Sequence, residues 1–156
     1  MRKKYKPKPI KLNALDWVVS GLRPISSAKN EILVLRIKNH GALDSLLSGN
    51  GGIKDADTLI ATMNIVEALA SMKVGGDWVD EIRAAQDALF AMSTRGVHTG
   101  LFKFTALELA SMNTAMDLHD AQLDAITIGQ MEQAINITKR IISSGKVRVI
   151  EWQTAT

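Results

Sequence analysis

Two short signatures fix the architecture of the second half of this chain. TALE at 105–108 and TIGQ at 127–130 each place a Thr three residues before a Glu or Gln. In such a capping box the Thr oxygen accepts from an orphan amide of the first helical turn, while the later side chain accepts from the Thr amide. Two consecutive helices follow, near 106–125 and 128–143. Upstream, glycines set the rhythm. A long helix runs from the Ser26–Ser27 region through NEILVLRIKNHGALDSLL to the glycines at 49, 51 and 52, with Gly41 a place where it could bend. A third segment, DADTLIATMNIVEALASM, starts at Asp55 and stops at Gly75 and Gly76. Asp77 then caps WVDEIRAAQDALFAMSTRG, which Gly96 ends.

The N-terminal end is shorter and less regular. Leu12, Leu15, Val18, Val19 and Leu22 recur at near-helical spacing before Gly21 and Pro24, predicting a brief first helix. After Gly145, KVRVIEWQ alternates with the period of a strand and could pair with LFKF at 101–104. The predicted fold is therefore all-α: a single-domain bundle of five to six helices with room for a small C-terminal β-ribbon. Residues 12–156 form the helical domain, and residues 1–11 a flexible basic arm. Aromatic residues make up only 4% of the chain, so its seven Met residues must share the packing with Leu, Ile and Ala.

Several function classes are excluded or unsupported. With no cysteine, the chain can form no disulfide, thiolate metal site or iron–sulfur cluster. No secretory signal or transmembrane run is recognisable, so the expected location is the cytoplasm and no membrane partner is expected. GNGG at 49–52 and the Gly75–Gly76 pair lack the spacing of a phosphate-binding loop, and the Ser pairs at 26–27 and 143–144 lack a hydrolase context; both read as helix boundaries. The three histidines, His40, His98 and His119, form no metal-binding spacing. Asn113, Asp117, Asp120 and Asp124 line one helical stripe, which reads as a solvated face rather than a Mg²⁺ or Ca²⁺ site. The expectation is a non-enzyme without cofactor or metal.

Charge is the informative remainder. Arg2, Lys3, Lys4, Lys6, Lys8 and Lys11 precede the first carboxylate, Asp16, and Tyr5 sits among them; Lys139, Arg140, Lys146 and Arg148 form a second basic run without an acid. Between them, residues 12–138 hold nine basic and fifteen acidic side chains. An acidic body with basic ends suits a module that neutralises nucleic-acid phosphates through an arm, with Tyr5 stacking on a base. The alternative is an oligomeric assembly protein whose arm grips an acidic protein partner. In that reading Met112, Met116, His119 and Leu123, which share a helical stripe, form the interface, and a homo-oligomer is expected.

RKKYKPKPIKL, LRIKNHGALDSLL and MDLHDAQLDAI together loosely resemble small, uncharacterised helical proteins encoded by phages and prophages. The resemblance implies an accessory protein of a mobile element with a binding role, and it carries no catalytic motif.

Overall fold

The computed structural model describes residues 29–145, which form five α-helices and a single 3-10 turn: α1 Lys29–Leu47, α2 Ile53–Ser71, the turn Gly76–Trp78, α3 Val79–Thr99, α4 Ala106–Ala125 and α5 Ile128–Ser143. No strand occurs among the described residues, and the fold is an all-α bundle. The predicted helix at 12–22, the arm and the strand after Gly145 lie outside the described residues.

The bundle is organised around α2, which packs against each of the other four α-helices. Its sequence explains why. Leu59, Met63, Val66 and Leu69 are fully buried, Ala56, Thr62 and Ala70 are buried in the same helical arc, and Ala68 is buried on the far side, where Lys54, Asp57, Ala61 and Ser71 remain exposed. α1 precedes it as the antiparallel arm of a hairpin. The connection is tight: a Cβ on Gly51 would stand 2.6 Å from the Leu46 backbone, so only glycine lets this loop close. α5 also runs antiparallel to α2, with Ile128 in one cluster with Leu69 and the Thr138 hydroxyl donating to the Asn64 carbonyl at 3.4 Å. α3 and α4 form the second hairpin, packed on α2.

Two apolar clusters hold this arrangement. The larger joins Leu43 and Leu46 of α1, Leu59 and Met63 of α2, Ile82, Leu89 and Met92 of α3, and Met112 and Met116 of α4. The smaller joins Ile32, Leu69, Leu123, Ile126, Ile128 and Ala134. Each fully buried Leu, Ile or Met contributes about 1.5–3 kcal/mol relative to exposure. Four of the seven Met residues (Met63, Met92, Met112 and Met116) are almost wholly buried, taking the place of missing aromatics.

Both capping boxes are present. The Glu108 amide donates to Thr105 Oγ1 at 3.3 Å and the Thr105 amide to Glu108 Oε2 at 2.8 Å; the corresponding Thr127–Gln130 distances are 3.2 and 2.9 Å. Other boundaries differ from the sequence expectation. α2 starts at Ile53, with Asp55 in its first turn accepting from the Gly52 amide at 3.0 Å, and it stops at Ser71 rather than at the later glycines. The chain turns there through Lys73, whose φ is 66°. Asp77 lies inside the 3-10 turn and caps nothing; Trp78 is the residue before α3. Gly96 does not end α3. The helix continues to Thr99 and ends at Gly100, with φ 75°, while Gly96 is buried where a Cβ would run into the Phe102 ring. Gly41 leaves α1 uninterrupted. LFKF pairs with no strand among the described residues: Phe102 lies on Gly96 and Phe104 enters the core.

Candidate functional site

α1 carries the polar and apolar features that distinguish this bundle from a closed one. On one flank, Arg36 and His40 face the C-terminal half of α4. Arg36 Nη2 donates to Asp124 Oδ1 at 2.5 Å and to the Asp120 carbonyl at 3.0 Å, and His40 Nε2 lies 2.9 Å from Asp120 Oδ2. The acidic stripe is therefore not a solvated face throughout. Asp120 and Asp124 turn toward a cation on α1, leaving Asn113 and Asp117 exposed. Arg36 and Asp120 are about a third exposed and Asp124 more so, so the pairs position α1 against α4 more than they stabilise the fold. Among the described residues no group of three or more His, Asp or Glu is arranged to hold a metal ion.

Beneath this flank lies His119. It is 2% exposed, and burial pushes its imidazole down to about 4, against smaller upward effects from Gln122 and Asp120; Arg36 and His40 push in the same direction as burial. The ring is neutral at pH 7. Gln122 Nε2 donates to the Val66 and Val74 carbonyls at 3.2 and 2.8 Å, which ties the α2–α3 connection to α4. Neither His119 Nδ1 nor Gln122 Oε1 makes a hydrogen bond of full geometry. Met112, Met116, His119 and Leu123, the stripe expected to meet another chain, are thus packed inside this one. Helical spacing correctly placed them on an apolar side, but that side faces α1, α2 and α3. This corrects the interface assignment.

Exposed large apolar side chains lie elsewhere: Leu47, Trp78, Leu101, Leu107, Ile141 and Ile142, and a group of three on α1. Leu33, Val34 and Ile37 on the N-terminal half of α1 are 56%, 65% and 62% exposed, on the side opposite buried Ile32 and Asn39. One turn further, Gly41 extends the same line, and a Cβ there would touch nothing. Sequence reading missed this face because ILVLRI is apolar all round and does not reveal which side the bundle uses.

Of the expected phosphate-binding residues, Arg2, Lys3, Lys4, Tyr5, Lys6, Lys8, Lys11, Lys146 and Arg148 lie outside the described residues. Lys139 and Arg140 occupy the last turns of α5, both exposed, and neither forms an ion pair among the described residues. The described body as a whole is acidic, with ten basic and fourteen acidic side chains between 29 and 145. Compared with protein-family models, curated proteins and solved structures, the chain matches none. No described helix is long and apolar enough to cross a membrane.

Proposed function

We propose that this protein is a non-enzymatic helical binding module that contacts nucleic acid through its basic N-terminal arm, with the acidic bundle as scaffold. The observation that carries the reading is the segregation of charge. The described body holds an excess of carboxylates, while six basic residues fall within positions 2–11, and exposed Lys139 and Arg140 open a second run that Lys146 and Arg148 continue. Acidic surface repels a polyanion, so contact concentrates at the basic ends. Each Lys or Arg there neutralises a phosphate and releases a counterion, a mechanism that needs no fixed arm conformation and reads no sequence. Tyr5 adds stacking on unpaired bases. The likeness to phage and prophage accessory proteins points to the same kind of role.

The test compares the full chain with a variant in which Arg2, Lys3, Lys4, Lys6, Lys8 and Lys11 are all Ala, using fluorescent single-stranded DNA, duplex DNA and RNA of several sequences. Affinity is expected to fall by a similar factor for every sequence of a given type. Unchanged binding overturns the reading. No binding by either chain at low salt also overturns it, leaving the arm to an acidic protein partner or to no partner at all.

A further inference from the structure

Asn50 is the only asparagine of the chain that precedes a glycine. Asn39, Asn64, Asn113 and Asn136 lie inside helices, where the next residue's amide donates to the carbonyl four residues back. Asn50 instead stands exposed in the connection between α1 and α2, residues 48–52. Its own amide donates to the Ser45 carbonyl at 3.1 Å, and its Nδ2 donates to Ser48 Oγ at 3.3 Å, which keeps the side chain beside the turn. The Gly51 amide, the next nitrogen along the chain, donates to nothing among the described residues. The turn therefore sets a nucleophile with no hydrogen bond to break, and no Cβ to obstruct it, next to a side-chain amide open to water.

We propose that Asn50 is a site of spontaneous deamidation and that its isoaspartyl product loosens the α1–α2 hairpin. The Gly51 nitrogen gives up its proton to hydroxide and attacks Asn50 Cγ. A five-membered imide closes, and Nδ2 takes a proton from water and departs as ammonia. A second water then opens the ring. Cleavage of the new N–Cγ bond leaves an ordinary Asp, whereas cleavage of the original peptide C–N bond routes the main chain through Cβ and Cγ, one atom longer. Nothing is oxidised or reduced, and water is the co-reactant. Both products add a negative charge to a turn already flanked by Asp44 and Asp55. Only the isoaspartyl form changes its length. A Cβ on Gly51 would stand 2.6 Å from the Leu46 backbone, so the turn has no slack for an extra main-chain atom. Leu43 and Leu46 on one side of it and Leu59 and Met63 on the other share one close-packed cluster, and the added length loosens that contact. The site lies in the bundle itself and holds or fails independently of nucleic-acid binding.

The full chain is incubated folded, in mildly alkaline buffer, beside the same chain in denaturant; ion-exchange chromatography counts the acidic forms and peptide mapping locates them. The folded chain is expected to acquire isoaspartate at position 50 at a rate within about tenfold of the denatured chain, because an exposed connection needs little opening. The four helical asparagines should be slowed by folding far more than that. An Asn50→Gln chain should stay uniform over the same period, since its longer side chain must close a less favourable six-membered ring. Protection of Asn50 as strong as that of the helical asparagines overturns the proposal, and so does an Asn50→Gln chain that acidifies as fast as the parent. The loosening is read by comparing the purified isoaspartyl form with an Asn50→Asp chain, which carries the same charge on an unaltered main chain. The isoaspartyl form should melt at least about 2 °C lower. Equal melting temperatures overturn that part of the proposal.

Discussion

α2 and the N-terminal half of α1 are similar as sequence and different as structure. LIATMNIVEALA and ILVLRI are both apolar around most of the helix, yet α2 packs against four neighbours and buries its large apolar side chains while α1 leaves Leu33, Val34 and Ile37 more than half exposed. The contrast teaches that hydrophobicity all round a helix reports how many sides are meant to be covered, not what covers them. For α2 the cover is α1, α3, α4 and α5. For α1 only the inner side is accounted for by residues 29–145.

The largest effect that would break this comparison belongs to α2. Leu69→Ala, at a wholly buried side chain, is expected to lower unfolding free energy by about 2–5 kcal/mol in a denaturant titration, because the cavity cannot collapse between α2, α4 and α5. A loss below about 1 kcal/mol would mean that α2 is less enclosed than described.

The inner side of α1 can be probed through pH, because His119 is buried close to Arg36 and His40. Its folded pKa lies near 4 and its unfolded pKa near 6.5, so between those values the unfolded chain binds more protons and stability falls as pH falls. The contribution is fully present above pH 6.5. Thermal melts of the parent across pH 7 to 4 should therefore drop more steeply than those of His119→Gln; parallel profiles would show that the imidazole is not buried neutral.

The outer side should give a smaller effect. Ile37→Ala, at a side chain 62% exposed, is expected to cost about 1 kcal/mol or less in a denaturant titration, and a loss above about 2 kcal/mol would show that this side is covered. Smallest of all, Arg36→Ala removes partly exposed pairs with Asp120 and Asp124 and is expected to cost at most about 1 kcal/mol, with the difference shrinking in high salt.

The sequence was legible where structure is local. The Thr105–Glu108 and Thr127–Gln130 boxes work within four residues, so their helices start where the signatures stand. Gly96 was misread because its role depends on the Phe102 ring, which returns past it after Gly100 has turned the chain; a glycine that ends a helix and one that admits a neighbour look alike in sequence. Met112, Met116, His119 and Leu123 were recognised as one apolar stripe, but spacing does not say whether the surface they meet belongs to the same chain. The pairing of Arg36 and His40 with Asp120 and Asp124 spans at least 80 residues, and no local pattern announces it. The basic arm was legible only as charge.

The most direct test of the central claim is the salt dependence of duplex DNA binding by the full chain. If the arm's six basic residues neutralise six phosphates, the logarithm of the binding constant should fall linearly with the logarithm of salt concentration with a slope of about −5.4, and the six-Ala chain should lose most of that slope. A shallow slope in the parent, or an equal slope in both chains, would contradict the account.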